Sequence, residues 1–224
     1  MKTLILPVAG QSSRFPNMRP KWLLTMPDGL LMVEKSVSRM NLKNFSRIIV
    51  VCLKEHILKY VDKKKLIKNF KKNISNKIEI LEINKPTSCQ AETILLAIKQ
   101  AKIKGGIYIK DCDNMFAANI DSIPKNDVTI VDSNTVGLID AKSKSYVNIN
   151  KLGYITNIIE KEVISSFFCC GGYSFESAKD FTVVSTMLLK KSKDVFISHV
   201  IFSMLLNNKM FTHTRANKYI DWGT

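Results

Sequence analysis

Two aspartates stand at a spacing that suits phosphate chemistry. Asp111 and Asp113 are separated by one residue and follow the strand candidate 106–110, whose residues 107–109 are apolar. Residues i and i+2 of an extended segment point to the same side, so both carboxylates could bind Mg²⁺ beside phosphate groups. An Asx turn that caps a strand uses the same residue types. Ligands of open α/β sheets bind at the ends of strands, so the position of these residues makes a ligand site about as well supported as a capping turn.

Two cations near the N-terminus could grip the phosphates themselves. Residues 9–15 read Ala-Gly-Gln-Ser-Ser-Arg-Phe, and small residues let backbone N–H groups approach a phosphate while Arg14 binds two of its oxygens. Lys21 follows Pro20, whose ring restrains the chain, and would place an ammonium near the same loop. The loop matches neither the Walker A motif nor Gly-x-Gly-x-x-Gly. Taken separately, both features also fit a surface turn and an ordinary lysine; together they would clamp a triphosphate.

The elements that must position these residues alternate in type through the first half of the chain. Apolar runs predict strands over 3–8, 47–53, 77–83 and 106–110. Helical periodicity between them predicts helices over 31–40, 55–72 and 90–103. Such alternation indicates a parallel sheet covered on both faces, with ligands bound at the carboxyl ends of its strands.

The second half has a different pattern. Short strands are predicted over 128–131, 136–139, 146–149, 154–159, 167–175 and 211–216, and helices over 177–190 and 195–206. We therefore expect a single α/β domain with a Rossmann-like, mostly parallel mixed sheet flanked by helices. Its nucleotide-binding half would be 1–118 and its second half 119–224.

The balance of basic and acidic residues indicates which classes of binding partner to expect. The 224 residues include 34 Lys+Arg against 19 Asp+Glu, a formal net charge of +15. A basic chain suggests nucleic acid, yet most of these cations are lysines, and the dense run 63–72 is best explained as a solvated helix face. We expect no nucleic-acid partner.

The spacing of the cysteines and the length of the apolar runs indicate the cellular compartment of the protein. Five irregularly spaced cysteines fit neither a disulfide framework nor a zinc site. No apolar run approaches the roughly 20 residues of a membrane span, and the N-terminal run is too short for a signal peptide. We expect a cytoplasmic protein without a membrane partner.

Seven short segments, in this order, resemble the nucleoside-triphosphate transferase family, which comprises sugar-phosphate nucleotidyltransferases and their choline-phosphate and capsule-precursor relatives. The segments are 7–15, 20–23, 86–93, 111–116, 160–161, 171–175 and 219–224. The resemblance implies the nucleotide-diphospho-sugar transferase-like fold. Two of the usual glycines are replaced by Gln11 and Ser12. Members of the family usually continue past the position of Thr224, which would make this chain a truncated form.

The resemblance also implies roles for individual residues. Asp113 and Asp221 would hold Mg²⁺, Arg14 would grip the β- and γ-phosphates, and Lys21 would contact the α-phosphate in the transition state. The catalytic set would thus be Arg14, Lys21 and Asp113. The nucleotide would further contact Pro7, Val8, Ala9, Gly10, Cys89, Gln90, Ala91 and Asp111. The acceptor would face Glu160, Lys161 and Gly172.

The implied reaction is magnesium-dependent transfer of a nucleoside monophosphate from a nucleoside triphosphate to a small phosphorylated acceptor, with release of pyrophosphate. Within the family the chain most resembles capsule cytidylyltransferases, which implies CTP as the nucleotide and phosphoglutamine, or a sugar or choline phosphate, as the acceptor. A metal-dependent glycosyltransferase is the main alternative, because it also uses Asp-x-Asp at the end of a strand. A basic nucleic-acid-binding module is the more distant one.

Overall fold

The first four strands lie side by side in one sheet, and helices connect them. A computed structural model of the chain describes residues 2–10, 18–137 and 139–223. The strands are β1 Lys2–Pro7, β2 Arg47–Leu53, β3 Ile78–Ile83 and β4 Gly106–Lys110. The helices are α1 Met32–Val37, α2 Lys54–Tyr60, α3 Lys63–Asn73 and α4 Gln90–Gln100.

The remaining elements extend this sheet, form a second small sheet and add two helices. The further strands are β5 Asn114–Ala117, β6 Asp127–Asp132, β7 Ser145–Ile149, β8 Ile155–Glu160, β9 Phe167–Phe175, β10 Thr212–Arg215 and β11 Asn217–Asp221. The further helices are α5 Ala178–Leu189 and α6 Ile197–Leu206. No helix of the described residues is long and apolar enough to cross a membrane.

The main sheet is mixed, with the strand order β10-β6-β9-β4-β1-β2-β3. Its strands β1 to β4 are parallel neighbours, and β9 lies antiparallel between β4 and β6. Every strand on this path except β9 therefore runs in one direction. This confirms the expected mostly parallel mixed sheet in a single α/β domain.

Both faces of the sheet are buried, because successive side chains of its central strands enter opposite cores. Ile5 packs in one core with residues of α4, α5 and α6, whereas Leu4 packs in the other with residues of α1 and α3. Both side chains are fully buried. Because both faces of β1 are covered, its apolar residues are continuous. Their burial holds this strand in place, and the strand leads into the candidate phosphate-binding residues.

Two predicted elements differ in the structure. The helix predicted over 55–72 is two helices, because the Asp62 side chain accepts hydrogen bonds from the N–H groups of Lys64 and Lys65 and begins a new helix. The prediction of a strand over 136–139 is wrong, because the described residues 136, 137 and 139 do not form one. Asp132 and Asp140 instead accept hydrogen bonds from backbone N–H groups two residues on and begin 3₁₀ turns on either side of that segment.

The strands β5 and β11 were not predicted from the sequence. They pair antiparallel in a separate two-stranded sheet, with Asp221 opposite Asn114. β5 begins directly after the Asp111-Cys112-Asp113 turn, so this pairing brings the C-terminal segment to the end of β4. It is the feature of the fold that assembles the candidate site.

Candidate active site

The candidate site lies where β4 ends and the β5–β11 pair begins. The N–H of Trp222 donates to the carbonyl of Asp113 over 2.8 Å, which continues the β11 pairing past Asp221. The carboxyl end of β1 is at the same edge of the sheet, because β1 is the parallel neighbour of β4. This is the edge at which open α/β sheets bind ligands.

Asp113 and Asp221, far apart in sequence, share one small space beside Gly223. A β-carbon built on Gly223 would lie 2.7 Å from Oδ2 of Asp113 and 3.1 Å from Oδ1 of Asp221. The Gly223 N–H donates to that same Oδ1 of Asp221 over 2.7 Å. A larger residue at 223 would therefore fill the cradle between the two carboxylates.

Lys21 contacts the residues of this cradle. Its ammonium donates to the Gly223 carbonyl over 3.1 Å and lies 4.0 Å from Oδ2 of Asp113. A short 3₁₀ turn over Lys21–Leu23 follows Pro20 and buries Trp22 and Leu23. The burial of these two neighbours fixes the backbone of Lys21, so its ammonium is held near the carboxylates.

Asp111 follows the end of β4 and is half-buried. It bonds Gln90, another of the residues predicted to bind the nucleotide. Its Oδ1 accepts a 2.5 Å hydrogen bond from the side chain of Gln90, the first residue of α4. Burial, and then the nearby charge of Asp113, raises the pKa of the Asp111 carboxyl to about 6. The structure thus brings Gln90, Asp111, Asp113, Lys21 and Asp221 into one neighbourhood.

Lys110 is a buried lysine directly beneath this site. Its ammonium donates to the Asn114 carbonyl over 3.0 Å, to Asn114 Oδ1 over 2.6 Å and to the Asp111 carbonyl. Burial lowers the pKa of Lys110. These three bonds tie the two ends of the Asp111–Asn114 turn together, and they explain how a polar turn is held at the edge of an apolar core.

An open cavity of about 440 Å³ lies above the carboxylates. Its lining residues are Asp111, Asp113, Asn114, Asp140, Ser143, Lys144, Asp221 and Gly223. Lys144, which the sequence did not single out, forms an ion pair with Oδ2 of Asp221. Burial favours the neutral carboxyl of Asp221, but hydrogen bonds from Lys144 and from the Gly223 N–H outweigh it and lower the pKa. In a chain this rich in lysine, no local pattern marks position 144.

The three predicted acceptor residues have different environments, and none of them is among the lining residues of this cavity. Glu160 accepts hydrogen bonds from the hydroxyls of Ser145 and Ser198. The Lys161 ammonium lies 4.5 Å from the centre of the Phe196 ring, and the side chain is exposed. Gly172 faces the packed interior, where a β-carbon would lie 2.2 Å from the Tyr108 hydroxyl. Its neighbour Gly171 is the glycine that borders Asp111 and Asn114.

The remaining predicted nucleotide residues surround the end of β1 and the start of α4. Pro7 ends β1, and the Val8 N–H donates to the Val51 carbonyl over 2.8 Å. Ala9 and Ala91 are buried in the same core, and Gly10 is exposed. Cys89 immediately precedes α4 and is half-buried. Arg14, with Gln11 and Ser12, lies outside the described residues.

The donor set at the cradle fits a magnesium ion that is shared with a nucleotide. Mg²⁺ in phosphate-transfer sites is commonly held by one or two carboxylates together with substrate phosphates. Asp113 and Asp221 supply two carboxylates around a space that a β-carbon would fill. Among residues 2–10, 18–137 and 139–223, no cluster of three His, Cys, Asp or Glu side chains forms a metal site built from protein alone.

Comparison with solved structures identifies the fold. A nucleoside-diphosphate-sugar pyrophosphorylase from Vibrio cholerae RC9 superposes with a TM-score of 0.80 at 17% identity, over 99% of this chain and 96% of that one. An inositol-1-phosphate CTP transferase from T. maritima superposes with a TM-score of 0.75 at 16% identity, over 100% of this chain and 90% of that one. The chain has the nucleotide-diphospho-sugar transferase fold.

A further protein with the nucleotide-diphospho-sugar transferase fold is a UDP-glucose pyrophosphorylase solved with UDP-glucose. It gives a TM-score of 0.75 at 16% identity, over 100% of this chain and 94% of that one. No protein-family profile matches the sequence, and no curated protein matches it. The similarity therefore lies in the path of the backbone.

Proposed function

We propose that the protein is a magnesium-dependent nucleotidyltransferase. It would move a nucleoside monophosphate from a nucleoside triphosphate to a phosphorylated small molecule and release pyrophosphate. One observation carries the proposal: Asp113 and Asp221 meet around Gly223 within reach of Lys21, at the ligand-binding edge of the sheet. The three similar structures support it, since their names describe two sugar-nucleotide pyrophosphorylases and a CTP transferase.

In this reaction the protein supplies positioning and charge, and no enzyme nucleophile is needed. A phosphate oxygen of the acceptor attacks the α-phosphorus in line, and the bond to the pyrophosphate oxygen breaks. Asp113 and Asp221 would hold Mg²⁺, which when bound neutralises phosphate charge. Lys21 would place its ammonium on the α-phosphate, and Arg14 would grip the β- and γ-phosphates. Such preorganised charges stabilise the transition state without reorganising during the reaction.

The nucleotide would lie along the end of β1 and the start of α4. Residues 7–10 would pass beneath the nucleotide, and Gln90, which already bonds Asp111, would present its amide to the base. Cys89 and Ala91 flank Gln90 in this proposed base-binding segment. Glu160, Lys161 and Gly172 would border the acceptor.

We further propose CTP as the nucleotide and phosphoglutamine, or a sugar or choline phosphate, as the acceptor. The resemblance to capsule cytidylyltransferases supports CTP, as does the structural similarity to a CTP transferase that acts on inositol 1-phosphate. The product would be a cytoplasmic precursor for a surface polysaccharide.

A substrate panel tests the proposal. The protein is incubated with Mg²⁺, inorganic pyrophosphatase and each of the four nucleoside triphosphates, together with phosphoglutamine, phosphocholine or glucose 1-phosphate. We expect acceptor-dependent release of phosphate, fastest with CTP. Release of a nucleoside diphosphate from a nucleotide sugar would instead indicate a glycosyltransferase, and phosphate release without any acceptor would contradict transfer.

A further inference from the structure

Lys144 is a partly buried cation held against the second proposed metal ligand. Its ammonium pairs with Oδ2 of Asp221, and the two side chains are only 12% and 13% exposed. The ammonium also lies 5.9 Å from the centre of the Tyr219 ring. Lys144 is thus built into the site, unlike the exposed lysines of α3.

The charges around the cavity explain why a cation is needed there. Four carboxylates line it, those of Asp111, Asp113, Asp140 and Asp221. Among the described residues that line the same cavity, Lys144 supplies the ammonium. The pair at Asp221 therefore offsets repulsion among these carboxylates, of which the proposed function assigns Asp113 and Asp221 to a divalent cation.

An ammonium that already occupies a carboxylate oxygen weakens the binding of a metal ion to that carboxylate. Oδ1 of Asp221 accepts the Gly223 N–H, and Oδ2 takes the Lys144 ammonium. A metal that binds Asp221 must compete with Lys144 for this carboxylate. The lysine stem is flexible, so the ammonium can leave Asp221 while the backbone stays in place.

The backbone of Lys144 is anchored beside the predicted acceptor residues. Its carbonyl accepts a 2.9 Å hydrogen bond from the N–H of Lys161, as β7 and β8 approach each other. An ammonium displaced from Asp221 would therefore remain near both the metal site and Lys161. The anionic group that the proposed reaction brings there is a phosphate.

We propose that Lys144 exchanges partners during the reaction cycle. It neutralises Asp221 in the metal-free protein, gives up this carboxylate to the divalent cation, and then contacts a phosphate group of the acceptor. The inference rests on the proposed function, and it adds a substrate-contacting cation that the sequence motifs do not include.

Metal binding provides the first test, because it needs no turnover. Binding of Mn²⁺ to the wild type and to Lys144→Met is titrated by electron paramagnetic resonance, with Lys142→Met as the control because Lys142 is an exposed lysine two residues away. We expect Lys144→Met to bind Mn²⁺ about tenfold more tightly, since a competing charge is removed. The control should match the wild type.

The direction of the change separates competition from a merely structural role. If Lys144 only oriented Asp221 for the metal, its removal would weaken Mn²⁺ binding, and weaker or unchanged binding overturns the proposal. Lys144→Gln serves as a second uncharged variant, and the melting temperature of each variant shows that it is folded. Absence of Mn²⁺ binding in the wild type and in both variants would overturn the metal assignment as well.

Turnover tests the second half of the exchange. At saturating Mg²⁺, we expect Lys144→Met to lower kcat/KM for the acceptor by on the order of 100-fold, as loss of one transition-state charge contact does. Unchanged kcat/KM would overturn the phosphate contact and leave only competition with the metal. If the wild type shows no pyrophosphate release but the variants bind Mn²⁺ more tightly, the proposed function fails while the competition at Asp221 stands.

Discussion

At the scale of single residues, Gly223 determines how the charged groups of this site are arranged. It separates the carboxylates of Asp113 and Asp221, donates its N–H to one and receives Lys21 on its carbonyl. The Asp113 carboxylate is partly exposed to the cavity, so it stays accessible to a ligand. A metal site completed by substrate phosphates requires such open carboxylates.

Replacing the carboxylates should abolish activity and leave the fold intact. We expect Asp113→Asn and Asp221→Asn each to lower the rate of pyrophosphate release by about 100-fold or more, because each removes a charge that the transition state needs. The coupled phosphate assay measures the rate, and circular dichroism checks the fold. Asp194→Asn, at an exposed aspartate outside the cavity lining, is the matched control. A normal rate in Asp113→Asn would show that the metal assignment is wrong.

Enlarging Gly223 should also damage activity, but through geometry. The added methyl group of Gly223→Ala would lie 2.7 Å from Asp113 Oδ2, so the carboxylates must move apart. We expect kcat to fall by about tenfold to 100-fold, since displacements near 1 Å have such effects in active sites. Gly137→Ala, where no described atom lies within 4 Å of the new methyl group, should keep full activity. Equal activity of the two variants would contradict the cradle.

At the scale of elements, the pairing of β5 with β11 builds the site. The sequence pattern predicted the apolar strands of the main sheet well, because strands buried on both faces leave continuous apolar runs. It missed β5 because this strand has only four residues and begins with a buried polar Asn114, and it missed β11 because that strand is mostly exposed; neither leaves a long continuous apolar run. Their pairing, rather than either strand alone, places Asp221 opposite Asn114.

The Asp111–Asn114 turn, which leads into β5, depends on Lys110. Lys110→Met would leave the Asn114 amide oxygen and two backbone carbonyls without their buried donor. We expect the free energy of unfolding to fall by about 2 kcal/mol, the usual cost of stranding a buried polar group. Urea unfolding followed by circular dichroism measures it. Lys104→Met, at an exposed lysine just before β4, should have little effect; a similar loss in both variants would contradict this role.

At the scale of the whole molecule, the fold explains which predicted residues meet. The sequence motifs located Lys21, Gln90, Asp111 and Asp113, and the sheet brings them to one edge because β1 and β4 are parallel neighbours. Lys144 could not be found in this way, since its importance comes from a contact with Asp221 across the fold. For the same reason, the sequence could not show that the Lys161 ammonium lies against Phe196.

We expect the net charge of +15 to contribute little at this site. The lysines of α3 are exposed and stand opposite Leu66 and Phe70, which pack into the core. We expect a variant with Lys64, Lys68, Lys71 and Lys72 all changed to Gln to keep kcat/KM within about twofold, because these exposed lysines are not among the cavity-lining residues and salt screens exposed charges. Steady-state kinetics at 0.1 M salt measures this, and a tenfold loss would show that α3 contributes to substrate binding.

The position of an isotopic label tests the central claim most directly. The protein is incubated with the acceptor found in the substrate panel and with CTP that carries ³²P at either the α- or the γ-position, and the products are separated by chromatography. Attack at the α-phosphorus predicts that the α-label appears on the acceptor and the γ-label in pyrophosphate. Transfer of the γ-label to the acceptor, or an unlabelled acceptor with both nucleotides, would contradict nucleotidyl transfer.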